Sequence, residues 1–208
     1  MSERIGPLRR AWLEFVGPET SPAGTVTILT LAGAGGVDAL RHARRLSRPK
    51  VALLAVSAVD LWGGAWANNT VACARWYERP GQTDADHLRF ALVHLHPLVL
   101  AWVDGAGRRG WLHAGVRYGY LLTATVLIRR FRAHRRPLGW ALTAGGIALD
   151  ATLEPYPSAR WFGPVFYLKL LAGHAAAARW SDEALFAGRG PRSGAAPNGT
   201  TAHGHPEP

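Results

Sequence analysis

Hydrophobic and polar positions fall in blocks along this chain. Six apolar runs, Thr25–Leu40, Val51–Ala74, Phe90–Val103, Trp111–Ile128, Leu138–Leu153 and Trp161–Ala178, are separated by short polar connections. The pattern predicts an all-α fold, a polytopic membrane helical bundle of five to six short helices spanning about residues 25–180. Several runs are shorter than the roughly 20 residues that a spanning helix requires, so their ends are the least defined feature. Residues 1–24 are polar and contain proline, which predicts an N-terminal arm. Within it Trp12, Phe15 and Val16 mark a candidate interfacial helix. Residues 187–208 are rich in Gly, Pro, Ser and Ala, and a disordered C-terminal tail is expected there.

The connections are strongly basic. Arg41–Lys50 carries five Lys or Arg residues, and Arg129–Arg136 reads RRFRAHRR. Each block favours the cytoplasmic face of a membrane, yet three apolar runs separate them and so place them at opposite ends. Either one run is re-entrant or the charge rule fails. The third run is the candidate for re-entry, because Pro97 and two histidines suit a segment buried in protein.

Composition agrees with this picture. Apolar residues make up 48% of the 208-residue chain, nine of them Trp, while Lys and Arg outnumber Asp and Glu by 24 to 14. Apolar helices joined by arginine-rich loops reconcile the two, and the loops and tail dilute the mean hydropathy to near zero. Nucleic-acid binding is the other common meaning of a +10 net charge. It calls for a solvated basic face, whereas here the basic residues punctuate apolar runs, so no nucleic-acid partner is expected. The single cysteine, Cys73, excludes an internal disulfide framework and a cysteine-based zinc site. The first 23 residues show no compact apolar core of a secretory signal. Insertion into the bacterial cytoplasmic membrane is expected to use the internal runs.

Chemistry is concentrated where polar residues interrupt the runs. Ser57–Gln82 holds Asp60, the pair Gly63-Gly64, and Asn68-Asn69-Thr70. Asp60, Gly64 and Asn68 are spaced four apart, so on a helix they share a face. Two readings stand side by side: close helix packing with a satisfied acid, or a functional carboxylate, since ionisable groups in lipid are costly and mark function. The fifth run repeats the pattern with Gly146, Asp150 and Glu154. In the third run His94 and His96 are two apart and point to nearly opposite sides of a helix. A kink at Pro97 with one satisfied histidine is expected rather than a metal clamp. Arg117 is expected to snorkel from about two turns inside the fourth run, and Lys169 and Arg117 offer compensating positive charge. Trp62 and Trp66 lie near Asp60 along the sequence, and Tyr167 is a further candidate lining residue. Many such aromatics belong to interfacial belts.

Several enzyme classes are excluded by the motifs. The chain lacks clustered desaturase histidines, an aspartate-rich magnesium motif, a phosphate-cradling glycine loop and a serine elbow. What remains is a desolvated acid in an aromatic-lined cavity, which suits protonation of an alkene or opening of an epoxide. The segments DLWGGAWANNT, RWYERPGQ and HLRFALVHLHP, over about residues 50–100, resemble a family of small bacterial integral membrane proteins. In size, helix number and paired intramembrane acids the chain is also similar to the small membrane-bound terpene cyclases of meroterpenoid and indole-terpenoid pathways. Asp60 and Asp150 or Glu154 match those cyclases by position in the helical order, not by a shared motif. That similarity implies metal-independent protonation of an isoprenoid substrate without a cofactor. Asp60, Asp150 and Glu154 would then be the catalytic acids, with Trp62, Trp66, Asn68, His94, His96 and Tyr167 lining the substrate site. A small transporter or a non-catalytic membrane partner is the alternative.

Overall fold

A computed structural model describes residues 6–187, so most of the tail expected at 187–208 and the first five residues of the arm lie outside it. Among the described residues the chain is helical throughout, with no strand. Helix α1 (Pro7–Val16) starts with proline in its first turn, where a missing N–H costs nothing. It stops at Gly17, whose φ of +84° and closeness to the Ala72 backbone leave no room for a side chain. Helices α2 (Pro22–His42) and α3 (Arg48–Ala67) also begin with proline in the first turn, and Ser21 caps α2 by accepting from Gly24 N at 3.1 Å.

These two helices form a tight antiparallel hairpin. A Cβ at Gly35 would lie 2.7 Å from the Trp62 ring, and one at Gly63 would lie 3.1 Å from Ala32 Cβ. The second apolar run is not one helix. It breaks at Asn68–Thr70, where Thr70 accepts from Cys73 N at 3.3 Å and starts α4 (Val71–Tyr77).

The third run is broken as well. A capping box between Thr83 and Asp86 opens α5 (Asp84–Val93), and α6 (His96–Val103) follows after a break at His94-Leu95. The cause is Pro97, which has no N–H for the Val93 carbonyl and clashes with the preceding turn. Leu95 N donates to Val93 O instead, at 3.0 Å. Helix α7 (Arg108–Arg130) is continuous, and a 3₁₀ turn at Arg132–His134 leads into α8 (Arg135–Thr152). The last run is α9 (Phe162–Tyr167) continuing as a π-helix, Leu168–Ala175, before the short α10 (Asp182–Phe186).

Six antiparallel traverses result: α2, α3, α5–α6, α7, α8, and α9 with its π-helix. At one end Lys50 Nζ donates to Val103 O at 2.9 Å and Trp161 Nε1 donates to Asp38 Oδ2 at 2.9 Å. At the other, Arg75 pairs with Glu19 at 2.8 Å, Arg129 with Asp84 at 2.9 Å, and Arg135 with Asp182. The two arginine blocks therefore sit at opposite ends. The third run starts beside Arg129 and finishes beside Lys50, so it crosses the bundle, broken, and does not turn back as the charge argument suggested.

The packed interior contains Leu54, Ala58, Leu61, Leu100, Leu121, Phe162 and Phe166, but also Arg117, Arg129, Lys169, His87, His94 and His174. The outer surface carries large apolar side chains on successive traverses, among them Val26, Leu29, Val56, Val59, Leu92, Val116, Val126 and Trp140. By length and composition α2 and α3 are able to cross a membrane.

Candidate functional site

The residues that fill the bundle centre are set by α3 and the π-helix. Lys169, on the first turn of the π-helix, is 0% exposed and places Nζ 2.5 Å from Asp60 Oδ2 and 3.3 Å from Asp60 O. Gly64, one turn after Asp60, makes this possible. A Cβ there would lie 2.5 Å from Lys169 Cε, so the bare backbone is the slot through which the lysine stem passes. The asparagine pair fixes the other side. Asn68 Nδ2 donates to Lys169 O at 3.3 Å, and Asn69 Nδ2 donates to Leu168 O at 3.1 Å and Ala65 O at 2.9 Å. Two side-chain amides thus satisfy carbonyls at the start of the π-helix, a backbone form often found at functional sites. Asn68 binds backbone and accepts from Cys73 Sγ at 3.5 Å, so its contacts are those of a scaffold residue.

Both histidines of the third run reach Asp60. His96 Nε2 is 3.3 Å from Asp60 Oδ2 and His94 Nε2 is 4.0 Å from it, with the two rings 5.4 Å apart. The expectation that they diverge assumed an unbroken helix. The break at His94-Leu95 turns α6 relative to α5 and brings them to one side. His94 Nδ1 donates to Phe90 O at 2.6 Å, since a carbonyl only accepts. His96 is therefore the closer histidine partner of the carboxylate. Among the described residues no group of three or more His, Cys, Asp or Glu side chains is placed to hold a metal ion.

Asp60 is the partly open member of this cluster, with its side chain 33% exposed. It lies at the edge of a cavity of about 430 Å³ between α1, α2 and α3, lined by Trp12, Phe15, Ile28, Leu29, Val56 and Val59. That volume is within the range of small-molecule sites. The Trp12 and Phe15 rings, 6.1 Å apart, come from the N-terminal arm. The arm therefore contributes a wall of the cavity, which the sequence reading had confined to a membrane-surface role.

The other candidate residues sit elsewhere. Trp62, two residues from Asp60, faces α2 and packs edge-on against Trp161 at 5.8 Å. With Trp66 it borders a separate, smaller hollow that includes Leu31 and Leu168. Tyr167 donates to Arg117 O at 3.3 Å and packs on Tyr120 and Gly146, where a Cβ would collide with its ring. Asp150 is held by Arg117, whose Nε donates to Oδ1 at 2.6 Å while its Nη2 donates to Glu154 O at 2.7 Å. Arg117 is 0% exposed and lies 4.6 Å over the Tyr156 ring, so it is locked in the core and does not snorkel. Glu154 does not continue the Gly146–Asp150 face. Helix α8 ends at Thr152, because Pro155 drives the residue before it towards extended backbone. The Glu154 carboxylate is half exposed, 3.5 Å from Arg109 and 4.0 Å from His113.

A third buried network was not anticipated. Arg129 Nη1 donates to Glu78 Oε1 at 2.7 Å and to Ala175 O at 3.1 Å, and its Nε donates to Asp84 Oδ1. The available signal was the pair of acids flanking the Pro80-Gly81 turn, opposite an arginine at the end of α7. Comparisons with protein-family models, with curated proteins and with solved structures find no match to this chain.

Proposed function

We propose that the chain is an integral membrane enzyme of the bacterial cytoplasmic membrane. It would perform metal-independent proton-transfer chemistry on a lipophilic, isoprenoid-type substrate, as the resemblance to small membrane-bound terpene cyclases implies. Support for the membrane comes from three cations, Arg117, Arg129 and Lys169, buried inside the bundle, and from large apolar side chains on its outer surface. Among the described residues, only α2 and α3 are long and apolar enough to stand out on hydropathy. The traverses α5–α6, α7 and π-helix are made polar by the histidines, Arg117, Arg129 and Lys169 that the fold turns inward.

The observation that carries the catalytic reading is the Asp60 cavity. Asp60 is the ionisable member of an otherwise apolar lining, and Lys169 and His96 stand behind it. The ion pair changes the role first assigned to Asp60. An isolated buried acid would hold its own proton, whereas a carboxylate between an ammonium and an imidazole passes protons that its partners supply. A proton delivered through Asp60 to an alkene carbon or epoxide oxygen leaves a cation on the substrate. The faces of Trp12 and Phe15 stabilise it, and return of a proton from the product to Asp60 restores the starting state. In this reading Asp150 and Tyr167 hold helices together, and Glu154, Trp62 and Trp66 lie away from the reacting atoms.

Two measurements test it. Membranes from expressing cells, washed with high salt and then carbonate, are expected to retain the protein; release to the supernatant would contradict the membrane reading. Purified protein incubated with an isoprenoid epoxide is expected to give a cyclised or rearranged isomer of unchanged mass. Recovery of unreacted epoxide alone across farnesyl- and geranylgeranyl-length probes would contradict the enzyme reading.

A further inference from the structure

A second cluster of buried titratable groups lies deeper along the bundle than Asp60 and takes no part in the cavity. His174, on the π-helix, is buried, and neither ring nitrogen has a hydrogen-bond partner among the described residues. A buried imidazole with both nitrogens unpaired is costly unless something else requires it. Its ring stacks on Phe90 at 3.7 Å and lies 4.8 Å from His87 and 4.4 Å from Tyr77. His87 Nε2 is in turn 3.9 Å from Glu78 Oε1, in the Arg129–Asp84 network at the end of the bundle. Phe90 also lies 4.5 Å from His94, which neighbours His96 and Asp60. The order through the interior is therefore Glu78, His87, His174, Phe90, His94, His96, Asp60, drawn from α5, α6, the π-helix and α3. The groups facing it are Tyr77 from α4, Arg129 from α7, and Lys169 from the π-helix.

We propose that His87 and His174 form a one-sided proton relay that connects the Asp60–His96 pair to the Glu78–Arg129 end of the bundle, with the Phe90 ring as its gate. Each imidazole accepts a proton on one nitrogen and releases one from the other, so no charge accumulates and nothing is oxidised or reduced. The nitrogens of His87 and His174 have no hydrogen-bond partner among the described residues, and one bridging water between neighbours would close the path. Phe90 carries no proton. It must swing aside, and His94 Nδ1 must leave the Phe90 carbonyl, for His94 and His174 to exchange, which makes the path intermittent. The inference rests on the reading of the bundle as membrane-spanning, and not on catalysis at Asp60.

The test avoids turnover. Protein labelled with ¹⁵N-histidine is placed in lipid nanodiscs, and side-chain proton exchange of His94 and His96 with bulk water is measured by NMR. His174→Phe keeps the ring volume and the stack on Phe90 but removes both exchangeable nitrogens. It is expected to slow exchange at His94 and His96 by roughly tenfold or more. Phe90→Ala, which opens the gate, is expected to accelerate exchange by a similar factor. Opposite responses of the two variants support the relay, and the second remains informative if the first fails to fold. Unchanged exchange in either folded variant would overturn it, whether or not Asp60 proves catalytic.

Discussion

Two buried ion pairs stand side by side in this bundle, and they differ in what surrounds them. Arg117 and Asp150 join α7 to α8: the guanidinium is engaged by a carboxylate, a carbonyl and the Tyr156 ring, while its Nη1 has no partner among the described residues and it borders a hollow of about 380 Å³ with Asp104, Glu154 and Tyr156. Lys169 and Asp60 join the π-helix to α3, but the carboxylate opens onto an apolar cavity, and His96 and His94 lie 3.3 and 4.0 Å from it. The same device, an acid one turn from a glycine, holds two helices together in one place and is the proposed reactive group in the other. The carboxylates differ in their surroundings: Asp60 lines an apolar cavity and has two histidines within 4.0 Å, whereas Asp150 faces the Arg117 guanidinium.

Uncoupling Arg117 from Asp150 has the largest expected effect. Asp150→Ala leaves the Arg117 guanidinium buried without its carboxylate, and a loss of about 3–5 kcal/mol is expected. Detergent-solubilised protein should then melt far below wild type or fail to accumulate; unchanged melting would show that Arg117 finds another partner.

A smaller effect sharpens the other side. Gly64→Ala places a methyl group in the slot of the Lys169 stem, which must shift away from Asp60. Overpacking of this kind costs about 1–3 kcal/mol. Turnover should fall by a larger factor than stability alone accounts for, because the pair and the slot belong to the site. Equal, small losses in both would make Gly64 a packing residue only.

The smallest effect belongs to the cavity wall. Trp12→Ala removes an aromatic face without touching a charge, and it is expected to raise KM for an isoprenoid probe and to lower kcat less than about tenfold. Melting should stay within about 1 kcal/mol of wild type, since Trp12 is only partly buried. An unaltered KM would place the substrate away from α1.

Much of the architecture was legible in the sequence. The apolar runs, the arginine-rich turns and the proline-led helix starts correspond to elements of the bundle. The breaks were written in less readable form. Pro97 was noticed as a kink, but its consequence, two histidines swung to one side, follows only once the bond lost at Val93 is traced. Pro155 likewise signalled that Glu154 leaves the helix, and the four-residue spacing hid it. Arg117 looked like a snorkelling side chain because nothing local reveals that Asp150 faces it from another helix. Lys169 was visible as a compensating charge, whereas its passage through the Gly64 slot depends on a π-helix that has no sequence signature here. The contribution of Trp12 and Phe15 depends on how α1 folds back at Gly17, a tertiary fact.

Proton exchange between Asp60 and a substrate, as against a packing role alone, can be read from one preparation. The direct measurement compares wild type with the double variant Asp60→Asn, Lys169→Met, which removes both charges and so avoids leaving a buried cation unpaired. Thermal unfolding and turnover of the isoprenoid epoxide are measured on the same preparation. If Asp60 passes protons to the substrate, melting stays close to wild type and turnover falls by about 10²–10⁴-fold, because Asn has no acidic proton to pass. A folded double variant that turns over the epoxide at the wild-type rate would contradict it.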